Sequence, residues 1–178
     1  MAMTLLATNS DSTDVASMTF NSGIDSTYKL YIFKFIDIDA VESGDNLFQF
    51  ATNATDTADY NNIPFTSTFV TAEFGEDGSG AGLAYDGSLD LSEGVAYQTL
   101  AENICTAADE SCVGTLWLFD PSSTTYVTQF YAQIHSNVDI SKQSIIAGWM
   151  NDTTAIDDIN FKISSGNMNG TIKMYGVG

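Results

Sequence analysis

TLWLFDPSSTTYVTQFYAQIHSNVDISKQSIIAGWMNDTTAIDDINFKIS, residues 115–164, carries four strand-like runs in succession: Thr115–Asp120, Thr125–Ser136, Ser144–Met150 and Ile156–Ser164. In the last of them Ile159, Phe161 and Ile163 alternate with Asp158, Asn160, Lys162 and Ser164. That period of two sets an apolar face against a wet one, as in a strand on the surface of a core. Between the runs stand Pro, Ser, Asn and Asp, which terminate strands and form tight turns. Such a segment folds as antiparallel sheet.

The same grammar extends in both directions. Downstream, the turn Ser165–Gly170 leads into Thr171–Val177, where Ile172 and Met174 alternate with Lys173, so a terminal hairpin is expected. Upstream, Tyr28–Ile38 (YKLYIFKFIDI) places Leu30, Ile32, Ile36 and Ile38 on one face and Tyr31, Phe33 and Phe35 on the other. A strand apolar on both faces belongs inside a sheet covered on both sides, or at a subunit contact. Leu47–Ala51 and Phe65–Phe74 are shorter strands, separated by the polar loop Thr52–Asn62, which Pro64 closes.

Gly75–Gly87 holds five glycines without periodicity and reads as a surface excursion, not a phosphate cradle, because no strand, loop and helix with a following Lys surround it. From Asp90 to Ile104, Ala96, Leu100 and Ile104 fall at helical spacing, which predicts one short helix. About eight strands with at most one helix imply an all-β, antiparallel β-sandwich of jelly-roll type, with a barrel as the alternative. We expect one domain over residues 23–178, preceded by residues 1–22 as a polar N-terminal arm or first strand. Met3, Leu5, Leu6, Val15, Met18 and Phe20 are the apolar points of that arm, which could order on docking.

Charge narrows the function. The chain has 23 acidic residues against five lysines and no arginine, a formal net charge of -18. Neutralising phosphates takes clustered Lys and Arg, so nucleic acid and anionic membrane are not expected partners. A basic partner patch or divalent cations suit such a field better. Residues 1–14 lack a basic n-region and a long apolar stretch, so no secretory signal is expected.

Few residues offer chemistry. Cys105 and Cys112 enclose a small, acidic loop that a disulfide could close, and paired or free thiols are both open. One His and two Cys cannot assemble a zinc site. His135 is the sole imidazole and sits on the polar face of a strand, which is not how a catalytic base is built. Asp37 with Asp39 and Asp157 with Asp158 are carboxylate pairs, but such pairs are inevitable among so many acids. Asp37 and Asp39, or the oxygen-rich loop Asp86–Glu93, are the places where Ca²⁺ could bind. Tyr126, Tyr131, Trp117 and Trp149 could stack on sugars or anchor a subunit, although the two tryptophans, each in an apolar strand, suit a sandwich core.

The entry IDSTYKL (Ile24–Leu30), the stretch DNLFQF (Asp45–Phe50) and above all IIAGWMNDTTAIDDINFKISSGNMNGTIKMYG (Ile145–Gly176) resemble a class of tailed-bacteriophage virion β-sandwich proteins described as structural or tail-fibre-like. The segment Gly75–Cys112 has no counterpart in it, and relatives tend to carry more Arg on the first long strand. The resemblance implies a non-enzymatic structural protein on the particle surface, as capsid decoration, knob or fibre head. It would be made in the host cytoplasm, would be oligomeric, and would bind other virion proteins without a cofactor. A carbohydrate-binding host-receptor module of a tail fibre is the alternative.

Overall fold

The computed structural model describes residues 2–54, 59–104, 107 and 109–178. Among them the chain forms thirteen strands and no helix: β1 (Met3–Val15), β2 (Met18–Phe20), β3 (Leu30–Ala40), β4 (Asn46–Asn53), β5 (Phe65–Gly75), β6 (Gly82–Tyr85), β7 (Ser92–Gly94), β8 (Gln98–Ile104), β9 (Ser111–Phe119), β10 (Gln129–Asn137), β11 (Ile140–Met150), β12 (Asp158–Ile163) and β13 (Met168–Val177). Every strand pairing is antiparallel. The large sheet runs β1-β13-β3-β9-β10-β11-β5-β6, with β7 also on β5, and the small sheet runs β2-β12-β4-β8. The two pack face to face as an all-β sandwich.

The strand count exceeds the expected eight for a visible reason. Strands β1, β2, β3 and β4 alternate between the sheets, as do β8 with β9 and β12 with β13, and these eight make the double layer. The other five, β5, β6, β7, β10 and β11, all extend the large sheet. Residues 1–22 supply two of the strands: β1 pairs with β13 along most of its length, and β2 pairs with β12.

Two sequence expectations are corrected. The helix over Asp90–Ile104 is two strands, β7 and β8. Leu100 and Ile104 are both buried, and a spacing of four is also a multiple of two, so it serves one face of a strand as well as a helix. Ala96, the third residue of the pattern, is exposed in the link between them. The terminal hairpin is likewise absent: β12 lies in the small sheet and β13 in the large one, so the turn at 164–167 carries the chain across the core.

The core is an aromatic cluster between the layers. Phe161 of β12 stands at its centre, with ring centroids of Phe20, Phe33, Phe35, Phe48 and Phe50 at 6.2, 5.4, 5.3, 6.1 and 6.3 Å. Ile159, Phe161 and Ile163 are all buried, as their alternation requires. The opposite face of β12 is only partly wet, because Asn160 is buried beneath Tyr97, whose hydroxyl it accepts at 3.1 Å.

In β3 the aromatic face wins the core: Tyr31, Phe33 and Phe35 are buried, while Leu30 and Ile32 lie on the outside, half-buried. A β-bulge at Ile36–Asp37 then adds one residue and reverses the parity, so that Ile38 and Ala40 point inward. Asp37 takes a φ of 51° there. Gly170 faces it across β13, with a φ of 115°, and a Cβ at that position would lie 2.4 Å from the Asp37 carbonyl oxygen. Only glycine meets both conditions.

Candidate interaction face

A groove of about 370 Å³ beside the β10–β11 turn is lined by Glu76, His135, Asp139 and Ser141. His135 is exposed on β10 and its Nε2 lies 3.0 Å from the Ser141 hydroxyl. Among the described residues no group of three or more His, Cys, Asp or Glu is placed to hold a metal ion. In the loop Asp86–Glu93 the Asp86 carboxylate accepts the backbone and hydroxyl of Ser88, and Asp90 accepts the Tyr85 hydroxyl. Cys112 is a buried thiol on β9 whose pKa burial raises strongly. The Cys105–Cys112 pairing falls outside the described residues, since Cys105 is not among them.

The carboxylate pairs differ in environment. Asp37 is exposed on the bulge, whereas one oxygen of Asp39 is buried without a partner. Burial first, then the nearby Glu110 and Asp14, raise the Asp39 pKa, although a backbone hydrogen bond from Ala40 opposes the shift. A carboxyl raised in the folded state costs stability above its folded pKa, and the cost vanishes below its unfolded value near 3.8. Asp39→Asn removes the charge and is expected to stabilise the protein at pH 7 by about 1 kcal/mol, a rise in Tm of a few degrees. The gain should disappear by pH 3. A melting curve at both pH values checks this, and a lower Tm at pH 7 would contradict it. Asp157 also has one buried oxygen without a partner, and Asp158 opens β12.

The feature that distinguishes the molecule is the outer face of the large sheet. Strand register lays its outward residues in rows. One row runs Met3, Val177, Leu30, Phe119, Gln129, Trp149 and Thr66. The next runs Leu5, Tyr175, Ile32, Trp117, Tyr131, Ala147 and Thr68, and the third runs Thr8, Lys173, Lys34, Thr115, Gln133, Ile145 and Val70. Trp117 and Trp149, which suited a core by sequence, therefore stand on the outside. The inner positions of β9 and β11 belong instead to Leu116, Leu118, Ile146 and Met150, and Trp149 and Phe119 are 42% and 43% exposed. Phe74, Leu83 and Tyr85 continue the apolar surface at the β5–β6 edge. Tyr126 lies elsewhere, in the exposed link before β10.

At the centre Trp117 and Tyr131 are ring neighbours, 5.4 Å apart and tilted by 35°. Gln133 donates to the Tyr131 hydroxyl at 2.8 Å. Lys34 donates to the Thr115 hydroxyl at 2.8 Å and stands 5.9 Å from the Trp117 ring. Lys34 and Lys173 are directly paired across β3 and β13, a like-charge arrangement that costs stability. Neither has a carboxylate partner among the described residues, whereas Lys29 and Lys142 do.

No Asp or Glu occupies an outward position of β13, β9, β10, β11 or β5, nor of β3 before its bulge, although the chain has 23 acids. Sequence reading named the aromatics but not the face. The signal was present in β9, where Val113, Thr115, Trp117 and Phe119 alternate with Cys112, Gly114, Leu116 and Leu118. With both registers largely apolar, alternation does not say which one is buried.

Fold and face together define an acidic all-β sandwich with an aromatic-centred sheet surface whose three described rows carry no carboxylate. No protein-family model matches the chain, and no curated protein matches it.

Proposed function

We propose that this chain is a non-enzymatic structural protein displayed on the surface of a tailed-phage particle, as capsid decoration, knob or fibre head. The observation that carries the assembly part of the reading is the outer sheet face: broad, largely apolar, aromatic at its centre and without a carboxylate in its three described rows, on a molecule of net charge -18. Large contiguous apolar surfaces on folded proteins serve contacts with other macromolecules. Depletion of charge with enrichment of Trp and Tyr is the composition of a protein–protein interface centre. The interleaved orders β1-β13-β3-β9 and β2-β12-β4-β8 fit a jelly roll widened by five extra strands, an architecture that capsid and lectin domains share. The virion setting rests on the sequence resemblance. On this reading the partners are other virion proteins, and the acidic remainder keeps a crowded array soluble.

The test is protein stoichiometry in purified particles, measured against the major capsid protein. One copy per few capsid subunits supports shell decoration, and a handful per particle supports a tail or vertex fibre. Absence from washed particles overturns the reading.

A second reading, a carbohydrate-binding module for a host receptor, draws on Trp117, Tyr131 and Trp149 lying beside the amides of Gln129 and Gln133 on one face. The Gly75–Gly87 excursion borders a groove of about 520 Å³ lined by Glu73, Glu76, Asp77 and Asp139, which disfavours an anionic ligand. A glycan array without binding, in the presence and absence of calcium, removes this reading.

A further inference from the structure

We infer that the outer face of the large sheet is the contact between two copies of this chain, packed sheet on sheet. The inference rests on the reading of this face as an assembly surface and names the occupant.

Area is the first argument. Seven strands, from β1 to β5 in sheet order, span the face. With strands about 4.8 Å apart and three outward rows about 6.8 Å apart, the face covers roughly 700 Å². A stable interface buries about 800 Å² per partner, so this face alone comes close to sufficing.

Its anatomy is the second argument. β9 is the fourth of the seven strands, so Trp117 and its neighbour Tyr131 occupy the middle of the face. A two-fold contact needs one self-complementary patch, and its strongest anchors cluster near the centre. Two identical twisted sheets meet this need, because faces of the same hand stack with their strands about 30° apart.

Charge is the third argument, and it selects a second copy from the ways two such molecules could touch. At -18 each, two copies repel wherever carboxylates face one another. The three outward rows centred on Trp117 and Tyr131 bring none into opposition. Lys34 and Lys173 lie to one side of the Trp117–Tyr131 centre, on β3 and β13, so a two-fold axis through the centre sets them over the other half of the partner's face and not over its lysines.

The experiment is sedimentation equilibrium on the whole chain at tens of micromolar, with two variants. The wild type is expected at twice 19.1 kDa, and the dimer should strengthen as salt rises, because screening weakens the mutual repulsion. Tyr131→Asp places two carboxylates at the centre of the contact and is expected to weaken dimerisation by at least about 30-fold. Ala147→Asp is the companion, since Ala147 is exposed, register-paired with Tyr131 and has little side chain to lose from the fold. It should also yield monomers, with an unchanged circular dichroism spectrum. A monomeric wild type at all salt concentrations overturns the inference, as does a dimer that neither variant weakens. Particle stoichiometry separates this from the assembly reading. A monomer that is found on particles leaves that reading standing without this one, whereas a dimer absent from particles does the reverse.

Discussion

Replacing Phe161 with alanine is expected to remove roughly 3–5 kcal/mol of stability, the range for deleting a buried aromatic ring. The ring is fully buried, and five other phenylalanine rings pack around it from both sheets. Its loss takes away the transfer free energy of the ring and leaves a cavity. The walls belong to strands tied into two sheets, so they cannot collapse to fill it. For a domain of this size the Tm should fall by about 10 °C or more. Phe161→Leu keeps most of the volume and gives up the edge-to-face contacts, so it should lose less than half as much. Calorimetry of the three proteins checks this, and an alanine variant melting within two or three degrees of wild type would mean that Phe161 is not the centre of the core.

The second large effect is expected at Lys142. It lies on the inner side of β11, nearly buried, with its Nζ 3.3 Å from Glu73 of β5 and also paired with Glu102 of β8. The cation therefore joins the large sheet to the small one. Lys142→Met leaves two carboxylates at the sandwich edge without a counter-charge. Removing one partner of a buried ion pair costs about 3–5 kcal/mol, and because Glu73 is 39% exposed we expect roughly 3. A Lys142→Met, Glu102→Gln double variant should recover part of the loss, because one of the stranded charges is gone.

The same ion pair has a pH signature. Burial pushes the Lys142 pKa down, but the hydrogen bonds and charges of Glu102 and Glu73 together outweigh it and hold the amine above its ordinary value of 10.5. A raised cation contributes stability that is fully present below its unfolded pKa and is lost as pH rises through the folded one. Wild type should thus lose part of its stability above about pH 10.5, and Lys142→Met should lose less. Tyr97, pushed up to about 12 by burial, and Tyr31 and Tyr60, raised for the same reason, add alkaline losses common to both proteins. The difference between the two unfolding profiles isolates Lys142. A constant difference from pH 8 to pH 12 would refute the assignment.

Legibility from sequence followed how many constraints each feature carries. Residues Asp158–Ile163 were readable because one register is apolar and the other polar, so a single burial pattern satisfies them. Leu100 and Ile104 were misread because a spacing of four suits both a helix and a strand, and the tie is broken by β4 pairing beside them. The terminal turn was readable as a turn. That it crosses between layers depends on β3 and β1 taking up β13, residues more than a hundred positions away.

By itself the sequence determined the all-β antiparallel class, most of the long strands and an acidic composition without phosphate-binding clusters, because these follow from side-chain periodicity, turn residues and a count of charges. Only the tertiary structure decided which apolar register of β3 and β9 is core, and so that Trp117, Tyr131 and the Lys34–Lys173 pair share one outer face. Where both faces of a strand are apolar, burial is chosen by the pairing of distant strands and by a bulge such as that at Asp37, neither of which leaves a mark on local periodicity.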